Sequence, residues 1–334
     1  MPLVGLTTFL LLAPIQGIWA WVLPLPATVQ EQLDDAIGHG LDGVIVYVDR
    51  AGQPPAFFAS GLSDRAAQQP ADPHALFKIA SISKLYIAVA TAKLVHGQRL
   101  SLDNSLADYL PELAGRIENA EQITLRMMIR HRSGIPNYVD DEAFDWADPA
   151  LEVDENLALV LDEPADFEPD TAYRYSNTNY LLIGRILDNE LGYDHQQYIK
   201  QQITGPLGLS ETHGLLRDVA LEDVVSGYFG GLDDDFKPLE FVVPGGSMVA
   251  TAEDVGVFLR ALVDGSLLND DEQAIYSSIY EYGHTGWVLG YQSIARYHED
   301  IDAVVVQFVN TTGNESELVA NVVYGRIVRI LARQ

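Results

Sequence analysis

The stretch Phe77-Lys78-Ile79-Ala80-Ser81-Ile82-Ser83-Lys84 opens a run without Gly or Pro that continues to Val95. The pattern predicts one helix over residues 81–95, with Ser81 and Lys84 at positions i and i+3 on the same face. A serine attacks a carbonyl only when a neighbouring base accepts its proton, and a Lys whose pKa is lowered by burial is such a base. Alone the pair is weak support, because an ordinary helix start with an exposed Lys has the same spacing.

A second short motif, Tyr175-Ser176-Asn177, also consists of residue types suited to catalysis. The phenol of Tyr175 can relay a proton, and the carboxamide of Asn177 can hold a substrate amide. The plain interpretation is a turn that begins a helix. The motif therefore gains weight only in combination with others.

A third motif, His284-Thr285-Gly286, stands at the start of a predicted strand over residues 286–296. Gly286 would allow a substrate to approach the backbone closely, and the N–H of Trp287 would then be available to stabilise an oxyanion. A solvated turn is the plain interpretation here. Each of the three motifs occurs once, and it is their conjunction that points to a nucleophilic serine enzyme.

Strand patterns occur near both ends of the chain, over residues 43–49, 56–61, 286–296 and 302–309. Helical patterns cover residues 28–39, 81–95, most of 100–239 and 318–331, and Thr28 with Glu31 forms a capping-box pattern. This order predicts an α+β fold in which both ends of the chain build one sheet. We assign residues 27–98 and 240–334 to the sheet domain and 99–239 to an inserted, mostly helical domain.

The order Ser-x-x-Lys, Tyr-x-Asn, His-Thr-Gly resembles that of the serine β-lactamase/penicillin-recognising superfamily. The closest branch is the class C-like one, which contains D-alanyl-D-alanine carboxypeptidases, class C β-lactamases and β-lactamase-fold esterases. The resemblance runs from about Gly43 to Thr312. The flanking segments that share it are 77–80, 123–125, 131–136 (His-Arg-Ser-Gly-Ile-Pro), 167–170 and 173–180.

The resemblance implies a β-lactamase-like antiparallel sheet flanked by helices, with the catalytic cleft between the sheet domain and the helical domain. It also implies that Ser81 is the acylating nucleophile, Lys84 its activating base and Tyr175 the proton shuttle. No metal or cofactor is needed for this chemistry. The substrate-binding residues that it implies are Asn177, His284, Thr285, Gly286 and Trp287, the last through a backbone N–H that shares the oxyanion hole with the N–H of Ser81.

His284 stands where many relatives have Lys, which removes a permanent cation from the substrate pocket. We therefore expect a D-alanyl-D-alanine carboxypeptidase-like hydrolase first and a β-lactamase-fold carboxylesterase as the alternative. A class C-like β-lactamase and a non-catalytic peptidoglycan- or peptide-binding protein are further alternatives. A carboxypeptidase must bind a free carboxylate, and Arg296 on the strand after His284 is one candidate.

The composition limits the partners of the protein. With 48 Asp and Glu against 20 Lys and Arg the net charge is −28, which disfavours nucleic-acid binding and favours a soluble monomer. There is no Cys and no recognisable metal motif, so the expected partner is a small-molecule or peptide substrate. The apolar segment 1–26, uncharged from Leu3 to Leu25, predicts a signal peptide or membrane anchor and a periplasmic or secreted location.

Overall fold

The computed structural model describes Gly17 and residues 22–334. Apart from Gly17 and residues 22–26, the predicted signal or anchor lies outside the described residues. Within the described part, no helix is long and apolar enough to span a membrane.

The elements are numbered here in chain order. The strands are β1 (Gly43–Arg50), β2 (Ala56–Asp64), β3 (Gln69–Pro70), β4 (Phe77–Lys78), β5 (Thr212–His213), β6 (Tyr228–Phe229), β7 (Val249–Ala250), β8 (Gly283–Val288), β9 (Tyr291–His298), β10 (Ala303–Val309) and β11 (Thr311–Thr312). The α-helices are α1 (Val29–Ile37), α2 (Ser83–His96), α3 (Leu106–Tyr109), α4 (Leu125–Ile129), α5 (Val153–Ala158), α6 (Asn177–Leu191), α7 (His195–Ile199), α8 (Ala252–Asp264), α9 (Asp270–Ile279) and α10 (Ser316–Leu331).

The main sheet has six strands in the order β3-β2-β1-β10-β9-β8. Every neighbouring pair in it is antiparallel, and Val46 of β1 lies opposite Gln307 of β10. The two ends of the chain therefore meet at the centre of the sheet, as the sequence predicts.

Two hydrophobic cores lie on opposite faces of this sheet. Val44, Val46 and Val48 of β1 pack with α1 and α10, whereas Ile45 and Tyr47 pack with the larger core that contains α2 and α8. Side chains alternate between the faces of a strand, so a strand covered on both sides needs an unbroken apolar run. This explains why β1 and β10 are β-branched and almost entirely buried.

The predicted helix over residues 81–95 begins later than expected. Ser81 lies in a 3-10 turn, Ala80–Ile82, and the α-helix starts only at Ser83. The turn is imposed by Ala80, whose φ of +50° no α-helix accommodates. The nucleophile candidate is therefore on a strained turn before the helix.

The expectation of one strand over residues 286–296 is wrong. The segment forms a hairpin in which β8 and β9 pair antiparallel on either side of Leu289-Gly290. Gly290 has a φ of +86°, in the left-handed region that favours glycine, and its N–H donates to Thr312 Oγ1 at 2.8 Å. His284 consequently lies inside a strand at the edge of the sheet.

The segment 99–239 contains α3 to α7 and the two short strands β5 and β6. Most of its buried apolar side chains belong to the same core cluster as α2 and α8, and Leu216 and Val224 belong to a smaller separate cluster. The division of the chain at residues 98 and 240 stays a prediction.

Candidate active site

The turn that carries Ser81 is fixed by hydrogen bonds on both sides. The hydroxyl of Ser83 donates to the Ala80 carbonyl at 2.6 Å, and the hydroxyl of Ser293 on β9 donates to the Ile79 carbonyl at 2.9 Å. A non-glycine residue in the left-handed region costs energy, and such a conformation persists only where its surroundings impose it. These bonds hold the strained turn in place and set the position of Ser81.

Lys84 is completely buried one helical turn after Ser81. Its Nζ lies 3.0 Å from Ser81 Oγ, 2.9 Å from Asn177 Oδ1 and 2.7 Å from the carbonyl oxygen of Gly245. Burial lowers the pKa of Lys84 to about 7. A neutral amine has two N–H groups and one lone pair. Since the Gly245 and Asn177 oxygens only accept, they take the two N–H groups and leave the lone pair for the proton of Ser81.

Tyr175 approaches the same hydroxyl from another direction. Its phenol donates to Ser81 Oγ at 2.9 Å. Burial raises the pKa of Tyr175 above its ordinary value, so the phenol keeps its proton in the resting site. Ser81 can then give its proton to Lys84 while it accepts one from Tyr175, which is the arrangement required for attack and for protonation of a leaving group.

His131 packs against Tyr175. In the sequence it belongs only to the flanking segment 131–136 and not to any of the three motifs. Its ring stacks on Tyr175 with centroids 4.3 Å apart, and its Nδ1 accepts the N–H of Ser176 at 3.2 Å. Burial, with the nearby charge of Lys84, lowers the pKa of His131 to about 3. The imidazole is thus neutral at physiological pH and adds no charge beside Tyr175.

Asn177 is the first residue of α6 and turns its carboxamide toward Lys84. Its N–H donates to Asn137 Oδ1 at 2.8 Å, which holds the start of the helix in place. Neither Asn137 nor Gly245 belongs to a motif that the sequence singles out. No sequence pattern predicts either residue, because Gly245 acts through its backbone carbonyl oxygen and Asn137 through a single side-chain amide oxygen.

Gly286 brings the edge strand β8 against the turn of Ser81. A Cβ atom on Gly286 would lie 2.4 Å from the Ile79 carbonyl oxygen and 2.3 Å from Ser293 Oγ. Only glycine allows this approach. We expected Gly286 to let the substrate approach the backbone. In the structure, the missing side chain instead makes room for the turn that carries Ser81.

His284 is half-buried between two tyrosine rings, 6.2 Å from Tyr175 and 6.0 Å from Tyr280 by ring centroid. Its Nδ1–H donates to the carbonyl oxygen of Thr285. Burial and the nearby Lys84 lower the pKa of His284 to about 4. At neutral pH its Nε2 is therefore a hydrogen-bond acceptor. The Lys found in many relatives would be a cation at this position.

Trp287 and Thr285 point to the other face of β8. Thr285 is exposed, and the indole N–H of Trp287 donates to Glu317 Oε1 at 3.0 Å. The Trp287 ring makes an edge contact with Trp146, which the sequence did not single out, at 5.0 Å between centroids. The two indoles form an apolar wall at this end of the strand. The role of the Trp287 N–H in an oxyanion hole stays a prediction.

Arg296 does not face the site. His284 pairs across the strands with Ala295, so Arg296 lies on the opposite face of the sheet, with Ile294. Ile294 packs in the core formed by α1 and α10. The arrangement makes Arg296 a poor candidate for binding a substrate carboxylate.

Outside the site around Ser81, one cluster among residues 22–334 consists of residue types that can bind a metal ion. Asp188, Asp194 and His195 bring their ligand atoms within 4.8 Å of one another. Asp188 already pairs with His195 Nδ1 at 2.8 Å, and Asp194 caps α7 by accepting from the N–H of Gln196 at 2.7 Å. These bonds account for all three side chains as structural groups.

The chain is similar to curated proteins with several names. It is 28% identical over 229 residues to penicillin-binding protein 4 from Amycolatopsis lactamdurans, covering 65% of this chain and 58% of that one. It is 27% identical over 261 residues to a D-aminopeptidase from Cereibacter sphaeroides (73% and 49%) and 27% identical over 200 residues to esterase EstB from Burkholderia gladioli (56% and 51%). The matches thus span about half the length of these curated relatives.

Solved structures show the same fold. The D-amino acid amidase from Ochrobactrum anthropi SV3 aligns with a TM-score of 0.80 at 24% identity, covering 91% of this chain and 97% of that one. The class C beta lactamase from Rhodobacter sphaeroides aligns with a TM-score of 0.72 at 22% identity, covering 91% and 99%. At these identities the likeness concerns the fold alone.

The Beta-lactamase family model matches residues 25–278, which include Ser81, Lys84 and Tyr175 and end just before His284. The expected α+β fold and the resemblance to the β-lactamase superfamily are both confirmed. The chain belongs to the Beta-lactamase family and has the β-lactamase fold.

Proposed function

We propose that this protein is a D-alanyl-D-alanine carboxypeptidase-like serine hydrolase and forms a covalent acyl intermediate on Ser81. One observation carries the proposal. Ser81 Oγ is hydrogen-bonded both to Lys84 Nζ, at 3.0 Å, and to the phenol of Tyr175, at 2.9 Å. A base and a proton donor thus meet at one hydroxyl, and burial lowers the pKa of the Lys to about 7, so that the neutral amine is available near physiological pH.

The proton balance follows from these contacts. Lys84 takes the proton of Ser81 as Oγ attacks the substrate carbonyl, and Tyr175 gives its own proton to the leaving nitrogen. Water then attacks the acyl carbonyl and returns a proton to Tyr175. Ser81 Oγ departs with the proton held by Lys84, which restores all three groups.

The backbone N–H groups of Ser81 and Trp287 are the proposed donors to the oxyanion. The Gly286 contact supports this assignment, because it brings β8 against the turn that carries Ser81.

The names of the relatives support a peptide substrate that contains D-amino acids. They include two penicillin-binding proteins and a D-aminopeptidase, and the D-aminopeptidase matches 73% of this chain. The absence of a fixed cation at position 284 supports a peptidase rather than a dedicated β-lactamase.

A carboxylesterase is the second candidate, and one observation favours it. Beside Ser81 the site has Tyr175 and a neutral His284, where many relatives have a cation, and this suits a small uncharged ester. The match to esterase EstB supports the same alternative.

The test compares three substrates in parallel: a D-Ala-D-Ala peptide, p-nitrophenyl acetate and nitrocefin. The proposal expects release of D-alanine with the highest kcat/KM, whereas hydrolysis of the acetate alone would establish the esterase. A fluorophosphonate should label Ser81, Ser81→Ala should lose the label and the activity, and the exposed Ser210→Ala should keep both. Absence of both label and hydrolysis in the wild-type protein would overturn the acyl-serine mechanism.

A further inference from the structure

We infer that the cavity beside Tyr175 and His284 receives the leaving group of the substrate and that Arg130 in its wall binds a carboxylate on that group. The inference deepens the proposed function, on which it rests for the role of Tyr175 as the proton donor to the leaving atom. It adds a substrate-binding residue that no motif contains.

The cavity has a volume of about 320 Å³ and lies where the end of α4 meets the segment between α9 and β8. Arg126 on α4 and Ser278 on α9 approach each other at 3.5 Å beneath it. The residues that line it are Ile129, Arg130, His131, Arg132, Tyr173, Tyr175, Ser277, Ser278, Ile279, Tyr280, Glu281 and His284.

The position of Tyr175 identifies which part of a substrate the cavity receives. A proton donor must lie next to the atom that it protonates, so the leaving group must lie beside the Tyr175 phenol. Tyr175 lines the cavity, and its phenol lies 2.9 Å from Ser81 Oγ. Ser81 does not line the cavity, and neither do Asn177 and Gly245, which hold Lys84. The cavity therefore adjoins the nucleophile candidate through Tyr175, and the proposal assigns it to the leaving group on that ground.

The charges on the cavity wall single out Arg130. The guanidinium of Arg132 is engaged by Asp170, and both His131 and His284 are neutral at physiological pH. Arg130 is exposed, and no hydrogen bond or ion pair is seen for its side chain among residues 22–334. Asp170, which pairs with Arg132, is the carboxylate whose pKa the charge of Arg130 also helps to lower. A planar guanidinium that no carboxylate contacts directly is well suited to bind one.

The net charge of the protein strengthens this assignment. At −28 the surface as a whole repels an anionic ligand, so a carboxylate needs a local cation to bind. Glu281, an exposed carboxylate on the same wall, opposes Arg130 and limits the positive potential of the cavity. Removing its charge should strengthen carboxylate binding.

The experiment uses two aryl esters that share one acyl group. One leaves as 3-hydroxybenzoate and the other as 3-hydroxybenzamide, so the leaving groups differ mainly in the carboxylate. The wild-type protein should have a higher kcat/KM for the benzoate ester. Arg130→Gln should lower the ratio of the two kcat/KM values about tenfold, the size of a partly exposed charge-assisted contact of about 1.4 kcal/mol.

Two further variants make the result specific. Glu281→Gln should raise the same ratio, and Arg329→Gln, which removes an exposed Arg from α10 on the far side of the sheet, should leave it unchanged. Equal activity of the wild-type protein on both esters, or an equal loss on both in Arg130→Gln, would overturn the assignment. Aryl esters acylate a reactive serine whether or not peptides are cleaved, so a carboxylate preference without D-alanine release contradicts only the proposed peptidase function.

Discussion

At the scale of single residues, the proposed chemistry depends on how burial changes the pKa values of three ionisable side chains. Lys84 is surrounded by neutral groups, and burial alone lowers its pKa to about 7. Burial raises the pKa of Tyr175, so the phenol keeps its proton. Burial also lowers the pKa of His284 to about 4. The same physical effect therefore produces a base, a proton donor and a neutral acceptor.

This scale predicts the acid limb of the pH profile. The pKa of Lys84 falls from an ordinary value of 10.5 to about 7 in the folded protein, and the proposed mechanism requires the neutral amine. The kcat/KM for p-nitrophenyl acetate should therefore rise as the pH increases through about 7 and be lost below it.

A pKa near 7 is usually assigned to His, so the control is His284→Gln. Because His284 is already neutral above about pH 4, the variant should keep the limb at the same pH whatever its maximal rate. A limb that disappears in His284→Gln would assign the titration to that residue and exclude Lys84 as its source.

At the scale of elements, the site depends on the contact between strand β8 and the turn Ala80–Ile82. Gly286 permits this contact, and the hydroxyl of Ser293 on the neighbouring strand anchors the turn. Close backbone packing between β8 and this turn thus brings the motif residues together.

We expect Gly286→Ala to reduce kcat/KM about 100-fold, because a new methyl group 2.4 Å from the Ile79 carbonyl oxygen must push the strand from the turn. The matched control is Gly325→Ala in α10, where no atom of the described residues, apart from the adjacent backbone of the helix, lies within 4 Å of the new methyl group. That variant should keep full activity and gain about 0.5–1 kcal/mol of stability. Wild-type activity in Gly286→Ala would show that the contact does not position Ser81.

At the scale of the whole molecule, the sheet separates the site from a second core that joins the two ends of the chain. Arg326 of α10 is buried in this second layer. It donates to Gln32 Oε1 on α1 and, at 2.6 and 2.7 Å, to the carbonyl oxygens of Leu23 and Pro24. One side chain thus connects the segment before α1, α1 itself and the last helix.

Arg326→Ala should lower the free energy of unfolding by about 3 kcal/mol, because the change leaves buried acceptors without donors. Chemical denaturation measures the loss. Arg329→Ala, an exposed position on the same helix, should cost less than about 0.5 kcal/mol. Below the unfolding transition, kcat/KM should stay near the wild-type value in both variants. A matching loss of stability in Arg329→Ala would mean that the burial of Arg326 is not the cause.

The sequence by itself determined the fold class and the main catalytic candidates. Runs rich in β-branched residues predicted β1 and β10, because a strand buried on both faces carries mainly apolar side chains. The single Ser-x-x-Lys among only five Lys residues predicted the Ser81–Lys84 pair, because i and i+3 spacing is a local property. Gly290 could have indicated the turn between β8 and β9. The apolar residues on both sides of it instead favoured the prediction of one continuous strand.

Only the tertiary structure decided which groups complete the site. The Gly245 carbonyl that fixes the Lys84 amine lies 161 residues away in the chain, and a backbone oxygen has no sequence pattern. The pKa of Lys84 depends on burial among Tyr175, Asn177 and Gly245, which lie far from it in the sequence. The orientation of Arg296 away from the site, and of Arg130 into the wall of the cavity, follows from strand alternation and helix position. Motifs record local spacing, whereas hydrogen bonds, burial and charge depend on neighbours that folding brings together.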